Sequence, residues 1–114
     1  MERIIQIGDK AVPMKATAST LTRYRSQFGR DLIEDFAKIQ AGLNNDTITG
    51  EVIDMFVGLC HTMARQADPQ IPAAAEDWVD QFEVFPIREV LMPVTQLWAD
   101  SLGVRVEVAE EKKA

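Results

Sequence analysis

Cysteine occurs once, at Cys60, so no internal disulfide can form and no thiolate cluster can hold a structural metal. A reducing compartment is the natural setting. Histidine also occurs once, at His61, which leaves only carboxylates to complete a metal site. Apolar runs are short, Ala73 to Ala75 and its like, against the roughly 20 residues that span a bilayer. No charged-then-apolar leader opens the chain, so neither export nor membrane insertion is expected. Basic residues are in the minority, 12 Lys and Arg against 18 Asp and Glu for a net charge of −6. Phosphate neutralisation needs a basic surface, which argues against a general nucleic-acid binder. Gly8 and Gly29 stand alone, with no phosphate-cradling glycine loop around them. No internal repeat, linker or low-complexity stretch interrupts the sequence.

The chain has 114 residues, of which 46% are hydrophobic and 26% charged, enough apolar surface for one globular domain. Its pattern predicts a mainly α fold: a small bundle of about five helices behind a short N-terminal β-hairpin. The expected domain covers residues 1–109, and 110–114 form a frayed, charged tail. Charge is uneven. Up to Lys38 there are seven basic and five acidic residues, and beyond it five basic and thirteen acidic, giving +2 and −8.

Isoleucines in Arg3 to Ile7, a turn cluster at Gly8, Asp9 and Lys10, and alternation at Val12 and Met14 read as the hairpin. Pro13 places its strand at an edge. Thr17 or Ser19 can cap a helix that lines up Leu21, Tyr24 and Phe28, and Gly29 ends it. Asp31 caps the next, with Leu32, Phe36, Ile39 and Leu43 on one stripe and Glu34, Asp35 and Lys38 opposite. Gly42 and Asn44 to Asp46 form a loop. A third helix runs from about Thr49 to Ala67 with Val52, Met55, Phe56, Leu59 and Met63 on one face, widened by Ile53, Val57, Cys60 and Ala64. So wide an arc marks either the centre of the bundle or a helix meeting both the core and a partner. Glu76 to Phe82 reads as a short helix with Trp78, Val79 and Phe82. Pro86 opens the last helix, which carries Val90, Leu91, Val94, Leu97, Trp98 and Leu102 and is kinked by Pro93. Val104 to Val108 alternates and is expected to add a strand to the hairpin.

Adjacent Cys60 and His61 suggest a thiol nucleophile with its base. Neighbours on a helix point about 100° apart, however, so the expectation is a packed cysteine and an exposed histidine. Acidic pairs such as Glu34 with Asp35, or Asp77 with Asp80, read as surface or first-turn charges. No catalytic, cofactor-binding or metal-binding residue emerges. Arg23, Arg25, Arg30 and Lys38, interleaved with Tyr24 and Phe28, leave a small helical DNA-binding regulator as the alternative, although Tyr24 and Phe28 fit the buried stripe.

Tyr24, Arg25, Ser26, Gln27, Phe28, Gly29, Arg30 and Asp31, preceded by Lys15, Ala16 and Thr17, resemble the signature of the tail assembly chaperones of long-tailed, siphovirus-type bacteriophages and prophages. Further matches are Met63 to Asp68 before a proline-containing loop, then Asp77 and Trp78, then Leu97 and Trp98. Leu59, Cys60 and His61 depart from the pattern, which has an aromatic residue such as tryptophan there. The resemblance spans nearly the whole chain. It implies a non-enzymatic protein of the bacterial host cytoplasm that coats the hydrophobic tape-measure protein and helps recruit tail-tube subunits, with no cofactor, nucleic-acid or membrane partner. It also implies a short form of two frameshift products, for which Lys112 and Lys113 allow a slippery codon run. The expected client surface is an apolar groove walled by Met55, Phe56, Leu59, Met63, Met92 and Trp98, its methionines adapting to varied side chains. Homo-oligomerisation is expected too, the basic and acidic halves pairing head to tail.

Overall fold

Alternating apolar residues on either side of Gly8 build the hairpin. In the computed structural model, whose described residues are 1–103, strand β1 (Glu2–Ile7) pairs antiparallel with β2 (Lys10–Lys15), Ile5 opposite Val12 and Ile4 opposite Pro13. Side chains alternate across a strand, so Ile5, Ile7, Val12 and Met14 turn inward and are buried, while Ile4 and Pro13 face outward. Gly8 opens the two-residue turn with φ of 62°. Positive φ at Gly8 but not at Asp9 fits a type II′ connection, and glycine adopts it without steric cost. Pro13 is tolerated because each strand has only one partner in this two-stranded sheet.

Helix α1 (Ser19–Phe28) stops where Gly29 takes φ of 67°, and the Gly29 N–H donates back to the Arg25 carbonyl at 2.8 Å. Ala18 precedes the first residue of α1 in helical conformation and makes no side-chain cap, and Thr17, one of the two expected caps, supplies the contacts. The Thr17 Oγ1 accepts from the Ser19 N–H at 3.3 Å, and the Thr17 N–H donates to the Thr20 Oγ1 at 3.0 Å. Helix α2 (Leu32–Asn44) begins at Asp31, whose Oδ1 accepts from the Ile33 N–H at 2.9 Å. Thr49 caps α3 (Gly50–Ala67) in the same manner, accepting from Val52 at 3.3 Å. Both caps satisfy donors that the first helical turn leaves without partners.

Helix α3 is the centre of the bundle. Every residue from Gly58 to Ala64 is buried, β2 lies along it, and α1 and α2 pack against it. Gly58 lets α1 come close: a Cβ there would sit 3.3 Å from the rings of both Tyr24 and Phe28. The short α4 (Ala75–Val79) ends earlier than the expected helix to Phe82. Trp78, Phe82 and Phe85 close that end as an edge-to-face aromatic cluster, with centroids 5.2 to 6.2 Å apart. Helix α5 (Ile87–Leu102) packs against β1 and buries Val90, Leu91, Val94, Leu97 and Trp98. It runs through Pro93 as one helical element, with Pro93 on its exposed side, where water can satisfy the carbonyl that loses its donor. Pro86 stands at the cap of α5, one residue before its first turn. The expected strand at Val104 to Val108 and the frayed tail at 110–114 lie outside the described residues.

Candidate functional site

The signature segment forms a corner between two helices, and its chemistry converges on one carboxylate. Asp35, three residues after Leu32 and four before Ile39, falls inside the apolar stripe of α2 and is 1% exposed. A buried carboxylate needs hydrogen-bonding partners. Arg30, just past the Gly29 turn, reaches over α2 and donates Nε–H to Asp35 Oδ2 at 2.7 Å and Nη2–H to Oδ1 at 3.0 Å. Tyr24, buried on α1, donates its hydroxyl to the same Oδ2 at 2.7 Å. Burial alone pushes the Asp35 carboxyl up. The hydrogen bonds from Arg30 and Tyr24 outweigh it and hold the group below the usual carboxylate range. The Tyr24 phenol moves up instead, through its burial and the neighbouring Asp35 charge.

This corner corrects the sequence expectation that Asp35 shares the solvated side of α2 with Glu34 and Lys38. Its three-and-four spacing to the apolar stripe is the signal that would have placed it inward. The corner also assigns structural tasks to the signature: Tyr24 and Arg30 hold Asp35, Gly29 turns the chain, Asp31 caps α2, and Phe28 stacks on Tyr24 with ring centroids 5.1 Å apart. Arg25 is exposed, and Trp78 is buried against Phe82 and Phe85. The basic cluster is likewise divided, since Arg30 is bound to Asp35 while Arg23 donates to Ser19 Oγ at 3.2 Å.

His61 is buried, not exposed as expected, because α3 is covered on the α1 side and on the α4 side together. Its Nε2 lies 2.7 Å from the Pro72 carbonyl, which can only accept, so Nε2 carries the proton. Nδ1 is then the acceptor for the Gln27 amide at 3.3 Å, and the same Gln27 nitrogen donates to the Ala73 carbonyl at 2.7 Å. His61 therefore pins the loop after α3 to α1. Burial depresses its pKa, the Pro72 carbonyl opposes that, and the Arg65 guanidinium adds to the depression. Cys60 is fully buried, and burial pushes its thiol far up, so it carries no thiolate.

The residues expected to wall an exposed groove occupy the core instead. Met55, Phe56, Leu59, Met63 and Trp98 are each 3% exposed or less, and only Met92 of that set reaches the surface, at 37%. The reason is the covering of α3 by β2, α1 and α2, which takes up Met55, Phe56, Leu59 and Met63 and leaves Ile53 and Val57 half-buried, while Trp98 is buried from α5. Exposed large apolar side chains among the described residues are Met1, Ile4, Ile33, Val84 and Met92, which sequence periodicity did not single out, Met92 excepted. Among the described residues no three His, Cys, Asp or Glu side chains group as metal ligands, and no helix is long and apolar enough to cross a membrane. No protein-family model, curated protein or solved structure matches this chain.

Proposed function

We propose that this chain is a tail assembly chaperone of a long-tailed phage or prophage, which binds the hydrophobic tape-measure protein in the host cytoplasm and keeps it soluble during tail assembly. The observation that carries the reading is the ordered set of motifs from Lys15 to Trp98, with Tyr24 to Asp31 at its centre. The helical bundle and its hairpin agree with it. The one pair that suggested nucleophilic chemistry is not poised for it, since Cys60 is sealed in the core and both nitrogens of His61 are engaged.

Burial of Met55, Phe56, Leu59, Met63 and Trp98 moves the client-facing surface elsewhere. Exposed apolar side chains are the remaining source of contact area for amphipathic client helices, with Ile4 beside Pro13 on the outer face of the hairpin the most exposed of them at 69%. The test is a defined pair. The tape-measure gene, a very long helix-rich reading frame expected next to this one, is expressed in segments, and each purified segment is titrated with the purified chain by calorimetry. At least one segment binds at a fixed stoichiometry if the reading is right. Absence of binding by every segment rejects it.

A further inference from the structure

Between α1 and the C-terminal end of α3 runs a groove of about 560 Å³ with no carboxylate in its lining. Two guanidinium groups border it, Arg23 from α1 and Arg65 from α3, and neither takes part in any of the ion pairs among the described residues. Arg65 is the less ordinary of the two. Its Nε is sealed from solvent and has no acceptor among the described residues. The walls are held in place. Gln66 donates to Thr17 Oγ1 at 3.0 Å, and Gln27 donates to the Ala73 carbonyl at 2.7 Å. The hydroxyls of Thr22 and Ser26, exposed one α1 turn apart, also line the groove.

Two cations, two exposed hydroxyls and no carboxylate in the lining make a receptor for an oxyanion, to which guanidinium groups donate in a fixed, planar fork. We propose that this groove binds a carboxylate side chain of a partner polypeptide, held between Arg23 and Arg65 with the hydroxyls of Thr22 and Ser26 as further donors. The receptor stands on its own geometry, and the choice of a polypeptide carboxylate over a free phosphate rests on the protein-binding reading above. A client helix that meets the domain through apolar residues would gain register from one acidic side chain placed here.

The experiment is an NMR titration of the full chain with a short helical peptide, blocked at both ends and carrying paired glutamates on one face. Its glutamine counterpart and inorganic phosphate are run alongside. The peptide should give saturable shifts at Thr22, Ser26, Arg65 and Gln66, with affinity reduced about 10-fold or more by Arg65→Gln, by Arg23→Gln and by the glutamine peptide. Arg88→Gln, remote from the groove, should leave the affinity as it was. Arg23 is exposed, so its variant keeps the test valid if Arg65→Gln fails to fold. Non-saturable shifts, or an unchanged affinity in Arg23→Gln, overturn the proposal. Saturation by phosphate with no response to the glutamate peptide also overturns it. The titration uses no tape-measure protein, so its outcome is separate from that of the functional reading.

Discussion

Removing one oxygen from Tyr24 tests the account of the α1–α2 corner. Tyr24→Phe keeps the ring against Phe28 and Gly58, deletes the 2.7 Å hydrogen bond to Asp35, and leaves the buried carboxylate with Arg30 alone. Hydrogen bonds to charged groups contribute about 1.5–3 kcal/mol, and the phenylalanine adds no new unsatisfied group, so the expected loss is roughly 2 kcal/mol. For a domain near 100 residues that corresponds to a Tm lower by about 8 °C or more. Urea unfolding followed by circular dichroism gives the free energy. The companion variant Asp35→Asn should be destabilising by itself, and the double variant should lose clearly less than the sum, because both single changes remove one shared bond. A Tyr24→Phe cost below about 0.5 kcal/mol, or strict additivity with Asp35→Asn, would refute the claim that Asp35 organises the corner.

Three further outcomes are expected. Gly29→Ala should cost about 1 kcal/mol through its positive φ alone, since nothing lies within 4 Å of the added Cβ, and Gly29→Asn should recover part of the loss; equal stabilities of all three proteins in urea would contradict the turn. His61 is held neutral with a depressed pKa, so between that value and about 6.5 the unfolded chain binds the extra proton and stability rises with pH. Urea midpoints should therefore fall as pH drops from about 7 to 5, and His61→Gln should flatten that slope; a slope unchanged by the substitution would show that His61 is not its source. Met63→Ala, wholly buried, should lose about 2–5 kcal/mol in thermal or urea unfolding, whereas a client-facing methionine would weaken client binding with little loss of stability.

Local signals in the sequence were strong wherever one residue decides the backbone. Gly8 and Gly29 supply positive φ, and Asp31 caps a helix, so the hairpin turn and two helix boundaries follow from chemistry within a few residues. Periodicity also separated the helices, although α2 runs through Gly42 to Asn44, part of which read as loop, and α4 stops at Val79 short of Phe82. It could not say how many sides of a helix are covered, because that depends on partners distant in the chain. The wide arc of α3 was therefore read as a candidate client groove, although β2, α1 and α2 together enclose all of it but the half-buried Ile53 and Val57. The same limit explains His61, whose partners Gln27 and Pro72 lie 34 and 11 residues away. Asp35 differs, since its spacing within the α2 stripe was legible and charge alone argued for the surface. The groove between Arg23 and Arg65 joins residues 42 positions apart, which no motif registers.

The central claim, that this domain keeps a tape-measure protein soluble, is tested most directly by co-expression. The tape-measure protein from the same genome is produced alone, with the wild-type chain, and with Ile4→Asp, Ile33→Asp or Val84→Asp, and its supernatant fraction is measured in each case. The account predicts an insoluble client alone and a soluble, co-purifying client with the wild-type chain. At least one of the charged variants, folded as judged by circular dichroism, should return the client to the pellet. A client equally soluble without the chain, or insoluble in its presence, contradicts it.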